Sequence, residues 1–229
     1  MIAEVIIVKN VSVKGGDIQV IGPYDIARHH CEGVIVKISK EQVEQNRERV
    51  IDTAAVLFRE RGIDGIGVAD LMKAAGMTHG GFYRQFKSKD DLIVQAVKRA
   101  YDDLSRELLG RIAAADDPLP MLVKWYVSEH HRDESGKGCN LTALATDAAR
   151  SNDEDLGSLF GGIVNSYIDL LISLVPSIDP GEKRRAAISI LSEMVGAVIL
   201  SRAVPDPAVS AEIIEAVSSD LLDRHRVGE

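Results

Sequence analysis

Val68-Ala69-Asp70-Leu71-Met72-Lys73-Ala74-Ala75-Gly76-Met77-Thr78-His79-Gly80-Gly81-Phe82-Tyr83-Arg84-Gln85-Phe86 is the stretch on which the reading of this chain turns. Apolar residues recur at helical spacing on both sides of Gly76, which predicts two short helices, about 68–75 and 78–86. Glycine at the join tolerates the left-handed backbone of a tight turn. Leu71, Ala75, Met77, Phe82 and Phe86 form the expected inner face, and Ala75 is small where the helices cross. Thr78 is the predicted N-cap of the second helix. Gly80 and Gly81 violate local preference, because glycine in a helix costs about 1 kcal/mol against alanine. Such violations cluster at functional sites. Here they would let a phosphate backbone approach the free N–H groups at a helix start.

Upstream, Val43, Val50, Ile51, Ala54, Leu57 and Phe58 predict a helix that starts at Ser39, with Gln42 completing a capping box, and stops at Gly62. Downstream, Ser88 and Asp91 form a second capping box. Further amphipathic helices are predicted near 89–114, 118–132, 140–150, 154–175, 180–203 and 207–225, punctuated by Asp116-Asp117-Pro118, Asp179-Pro180 and Pro205-Asp206-Pro207. The loop 133–138 is polar and reads as flexible. Residues 1–38 differ: β-branched runs such as Val5–Val8 and Gly33–Val36 alternate with turn signals at Gly15-Gly16 and Gly22-Pro23. Two readings stand for them, a short β arm or an over-long reading frame that truly starts near Val36 or Ser39. Deletion of 1–35 is expected to leave folding nearly unchanged.

The bulk properties exclude several classes. With 229 residues, 45% of them hydrophobic, the chain is long enough to bury a core unaided. Two cysteines, Cys31 and Cys139, make no disulfide framework and fit a reducing, cytoplasmic setting. No uninterrupted apolar run is long enough for a membrane span, and no signal peptide is read. The net charge of −8 is unevenly distributed. Residues 93–229 carry 22 acidic against 14 basic side chains, whereas 77–89 hold Arg84, Lys87 and Lys89 and no acid. No Gly-rich phosphate loop, metal-ligand cluster or nucleophile–base pair stands out, so no cofactor and no metal are called for. His130 and His131 are adjacent and cannot face one metal from a helix.

The run Met77-Thr78-His79-Gly80-Gly81-Phe82-Tyr83-Arg84-Gln85-Phe86-Lys87-Ser88-Lys89-Asp90-Asp91-Leu92 closely resembles the signature of the tetracycline-repressor (TetR) family. The preceding Ala54-Ala55, Leu57-Phe58 and Gly62 fit too. The resemblance covers about residues 40–95. It implies an all-α fold: a three-helix helix-turn-helix DNA-binding domain at 39–88 and a helical ligand-binding and dimerisation domain at 89–229. It further implies a repressor released from a palindromic, double-stranded DNA operator by a small-molecule inducer. Carried over by position, Thr78, His79 and Gly80 open the recognition helix, Tyr83 and Lys89 contact phosphates, and Arg84 reaches a base edge or phosphate. Two positions depart from the family pattern. Met72 stands where a small alanine is usual, and Gly67 where Ser or Thr often caps the second helix and touches phosphate.

In the regulatory domain, Ile188, Ile190, Leu191, Met194, Val195, Val198, Ile199 and Leu200 span a wide apolar arc, followed by Ile213, Ile214, Val217, Leu221 and Leu222. Two such helices late in the chain suit a four-helix interface in a homodimer. Met121, Trp125, Tyr126, His130, Cys139, Asn140, Phe160, Tyr167 and Met194 are the candidate inducer contacts. Cys139, after Gly138 and a flexible loop, is either an accessible thiol or a buried structural one. The competing classes are an enzyme in which 68–86 merely packs, and a helical interaction protein without a DNA target.

Overall fold

The computed structural model describes residues 5–7, 11–14, 17–20, 35–37, 39–176 and 179–225. The chain divides into two compact units, Met1–Glu48 and Arg49–Glu229. In the first, four short strands form two antiparallel pairs. β1 (Val5–Ile7) pairs with β4 (Ile35–Lys37) in the register Ile6↔Val36. β2 (Val11–Lys14) pairs with β3 (Asp17–Val20), with Lys14 opposite Asp17 across the two glycines of the sequence. The turn signal at Gly22-Pro23 and Cys31 lie outside the described residues. The expected capping box at Ser39 forms: the Gln42 amide donates to Ser39 Oγ at 3.1 Å.

Helix α1 (Lys40–Arg61) ends at Gly62, whose φ of +76° is the left-handed conformation predicted for it. Then come α2 (Val68–Ala74), a 3₁₀ turn (His79–Gly81) and the four-residue α3 (Phe82–Gln85). The α2 stop is a complete Schellman motif. Gly76 at φ +73° donates to Lys73 O and Met77 donates to Met72 O, at 3.0 and 2.8 Å. Gly67 caps α2 without a side-chain bond. Phe58, Leu71, Met72, Phe82 and Phe86 are fully or almost fully buried, and the Phe82 and Phe86 rings lie 5.4 Å apart. Met72 Cε would stand 3.7 Å from a Cβ on Gly81, so the flexible thioether fills the space beside that glycine.

The helices after residue 88 follow the expected punctuation with one correction. α4 (Lys89–Ala113) starts on Ser88 Oγ, which accepts from the Asp91 amide at 3.0 Å, while Asp91 Oδ2 accepts from the Lys87 amide at 2.9 Å. The single helix expected over 118–132 is two, α5 (Pro118–Tyr126) and α6 (Glu129–Asp133). Ser128 makes the break. Its hydroxyl donates to Trp125 O at 2.9 Å, closing α5, and accepts from the His131 amide at 3.2 Å, opening α6. The loop 133–138 is not the flexible linker expected: Ser135–Lys137 forms a 3₁₀ turn and Gly136 is buried. α7 (Asn140–Arg150), α8 (Glu154–Leu174), α9 (Pro180–Ala203) and α10 (Pro207–Arg224) complete the domain. Asp153, Asp179 and Asp206 cap the last three.

No uninterrupted apolar run indicated a membrane span, and α8 and α9 reach the length and mean hydropathy of one by composition only, as the core helix of a soluble protein also does. They bury only 33% and 39% of their most apolar windows. Each carries a charge well inside it, Asp169 and Glu193, and Glu193 is paired with Arg224 of α10.

Candidate nucleic-acid interface and interior polar cluster

The α2–α3 unit buries its aromatic face and turns its polar face outward. Thr78, His79, Gly80, Tyr83 and Arg84 are all exposed and lie in the 3₁₀ turn with its N-cap and in the first residues of α3. Tyr83 is 68% exposed although its ring edge meets both Phe82 and His79, with centroids 5.1 and 6.2 Å away. A Cβ on Gly80 would meet nothing within 4 Å, so that glycine leaves open surface and fills no packing need. Thr78 occupies the N-cap position, but its side chain makes no capping bond, so its hydroxyl is not committed to the turn. Lys89 is different. It is half-buried, and its ammonium donates to Ile63 O in the α1–α2 turn at 2.6 Å. An ammonium has three donors, so one is engaged internally.

The inducer candidates separate into four groups. Tyr126, Cys139, Asn140 and Tyr167 come together in the interior. Cys139 Sγ lies 3.6 Å from Tyr167 Oη, and Asn140 Nδ2 donates to Val97 O of α4 at 2.9 Å. The Tyr126 hydroxyl sits beside the Cys139 sulfur without a well-formed hydrogen bond, and Asn140 Oδ1 and Arg59 Nε are likewise buried without one. Burial, reinforced by the neighbouring thiol, pushes the Tyr126 and Tyr167 hydroxyls well above the usual phenol range. Phe160 and Met194 are ordinary buried members of the apolar core. Met121 and Trp125 instead line a surface groove of about 580 Å³ with Arg111, which stacks over Trp125 at 5.6 Å. His130 is exposed.

His131 is the histidine that the fold uses, and the adjacent pair gave no way to choose between them. Its Nδ1 donates to Tyr126 O at 2.7 Å while Nε2 accepts from the Cys139 amide at 2.9 Å, which defines the neutral Nδ1-protonated tautomer. Burial lowers its pKa to about 4. Arg202 was also not anticipated. From α9 it donates to Arg132 O at 2.9 Å, to His131 O, and to Thr142 Oγ1 at 3.1 Å. Arg59 of α1 donates to Gly138 O at 3.3 Å, and burial lowers its pKa. The signals for His131 were Ser128 three residues earlier and the buried side of a five-residue helix; for the two arginines the sequence carried none.

A two-helix unit locked by an αL glycine, with a polar exposed second helix, followed by a helical domain, has the arrangement of a helix-turn-helix module joined to a helical domain. Residues 50–96 match the family model described as bacterial regulatory proteins, tetR family. The chain is 29% identical over 85 residues to the HTH-type transcriptional regulator AcrR of Shigella flexneri, a match spanning 37% of this chain and 40% of that relative. Among solved structures, a TetR-family regulator from Cytophaga hutchinsonii superposes with a TM-score of 0.68 at 21% identity, covering 85% of this chain and all of that one. AibR, solved with isovaleryl coenzyme A and operator DNA, gives 0.55 at 18% identity, covering 76% and 96%. The chain is therefore similar to TetR-family helix-turn-helix regulators, in sequence over residues 50–96 and in fold over most of its length.

Proposed function

We propose that the protein is a repressor that binds a palindromic operator as a homodimer and is released by a small molecule held in the regulatory domain. The observation that carries this is the exposed set Thr78, His79, Gly80, Tyr83 and Arg84 on a rigidly capped helix-turn-helix. Tyr83, with Lys89 through its remaining donors, serves phosphates. Arg84 reaches base edges, arginine being the commonest reader of guanine. The head corresponds to 39–88 and the regulatory domain to 89–229. Selection of duplexes from a random pool by the purified chain tests the reading. Enrichment of a two-fold symmetric site supports it, and no enrichment overturns it.

Dimerisation is supported by α9 and α10. Ile188 and Leu200 on α9 are 43% and 57% exposed, and Val209 on α10 is 41% exposed, as suits helices that pack against a second copy. The polar interior of Tyr126, Cys139, Asn140 and Tyr167 supports the inducer site, because buried polar atoms without partners suit a ligand that supplies them. AibR provides a fold-level precedent for a ligand and operator DNA on one such chain. By linkage, an inducer that weakens DNA binding by a given factor, typically about 5- to 150-fold, must bind the DNA-free dimer more tightly by the same factor. Calorimetric titration of any co-purifying ligand into free and operator-bound protein measures this, and equal affinities would exclude release by ligand.

A further inference from the structure

We propose that Ser128–Gly138 is a strut that fixes the position of α1, and that Gly136 is its positioning residue for operator binding. This rests on the reading of α1–α3 as the DNA-binding head. The segment is clamped at both ends. At one end, Arg202 of α9 holds the last carbonyls of α6 through Arg132 O and His131 O, and Arg132 Nη1 donates to Ser210 Oγ of α10 at 3.3 Å. The middle is stiffened by His131, which bridges Tyr126 O and the Cys139 amide. At the other end the chain lies flat on α1. A Cβ on Gly136 would stand 2.7 Å from Glu60 Oε1 and 2.9 Å from Val56 Cγ1. Gly138 is equally confined, because a Cβ there would stand 2.7 Å from the His131 ring, and its carbonyl receives Arg59 of α1.

The segment therefore joins the helices offered for dimer contact to α1, the first helix of the proposed DNA-binding head, by a route separate from α4. Glu60 Oε1 is the far end of a flexible chain and can swing away. Val56 Cγ1 stands one bond from a branched Cβ that strongly prefers one rotamer in a helix, so a side chain at position 136 presses directly on α1. Interiors this close-packed transmit such a displacement and do not absorb it.

The test uses the full-length chain and the duplex that the wild-type protein selects from a random pool. Gly136→Ala, Val56→Ala, the double variant and Gly110→Ala are titrated with that duplex, the active fraction being measured separately by stoichiometric titration. Gly136→Ala should weaken the active dimer about tenfold or more. Val56→Ala alone should stay near wild type, and in the double variant it should restore most of the lost affinity, because the truncation opens the space that the new methyl needs. Gly110→Ala, whose Cβ meets nothing within 4 Å, should leave affinity unchanged. Unchanged affinity of Gly136→Ala, a fall in active fraction alone, or failure of Val56→Ala to rescue would overturn the strut while leaving the DNA-binding reading intact. A wild-type chain that selects no sequence overturns both.

Discussion

Gly80 offers the cleanest separation of folding from function at a single residue. Its Cβ position is open and its backbone is not left-handed, so Gly80→Ala should stabilise the free protein by about 0.4–1 kcal/mol through loss of unfolded-state freedom. The same methyl lies where DNA is proposed to approach, and operator affinity should fall by about tenfold. Thermal melts and a duplex titration on one preparation decide it, and an alanine variant with full affinity would remove Gly80 from the interface. Lys89 does two jobs in this account. Lys89→Ala should lower stability by about 1 kcal/mol, since a part-buried ammonium loses its bond to Ile63 O. It should also reduce the slope of log affinity against log salt by about one unit. A loss of stability with the slope intact would assign it to the turn alone. His131 predicts a pH effect of definite sign. Its folded pKa of about 4 lies below the ordinary 6.5, so the unfolded chain binds the extra proton first. The contribution is complete above about pH 6.5 and is lost progressively as pH falls towards 4, by up to about 3 kcal/mol. Denaturant melts between pH 7 and 4 should show the decline, and His131→Gln should flatten it. The exposure of Thr78, His79, Gly80, Tyr83 and Arg84 was legible because the apolar residues of the motif are the ones that turn inward. Arg59 and Arg202 were not, since their partners lie far away in sequence, and His131 was not, since its bonds to Tyr126 O and the Cys139 amide depend on how the chain turns between α5 and α7.

Helix ends were legible where a side chain does the capping. Ser39 and Ser88 accept the capping bonds read for them, Asp179 and Asp206 of the two Asp-Pro punctuation marks cap α9 and α10, and Gly62 and Gly76 both adopt positive φ. The break between α5 and α6 was missed because periodicity alone reads through Val127-Ser128, and Ser128 is as ready to bond backward as forward. The ordered turn at Ser135–Lys137 was missed because a polar, glycine-rich composition resembles a linker until α1 is known to lie against it. The recognition element illustrates the same limit. A helix over 78–86 was expected, and the two glycines instead produce a 3₁₀ turn before four α-helical residues. At this scale Gly76→Ala should cost about 1–2 kcal/mol purely through its φ of +73°, because the added methyl meets no neighbour. An unchanged melting temperature would contradict the Schellman geometry.

At the scale of the whole molecule, α9 supplies both an outer apolar face and, through Arg202, a grip on the α6 segment. Leu200→Arg should leave the monomer folded, since Leu200 is 57% exposed, and should convert a dimer of about 50 kDa to the 24.9 kDa chain. Sedimentation reads this directly, and a wild-type chain that sediments as a monomer at micromolar concentration would remove the dimer from the account. Symmetric binding in successive major grooves requires half-site centres about 34–36 Å apart or a multiple of that distance. The central claim, that the 78–84 surface reads DNA sequence, is tested most directly by titrating the selected duplex and a scrambled one of equal length at physiological salt. Wild type and Arg84→Ala are compared. The account predicts that wild type prefers the selected duplex by about a thousandfold or more, and that Arg84→Ala loses much of that ratio. Equal affinity for the two duplexes, or a ratio untouched by Arg84→Ala, would contradict it.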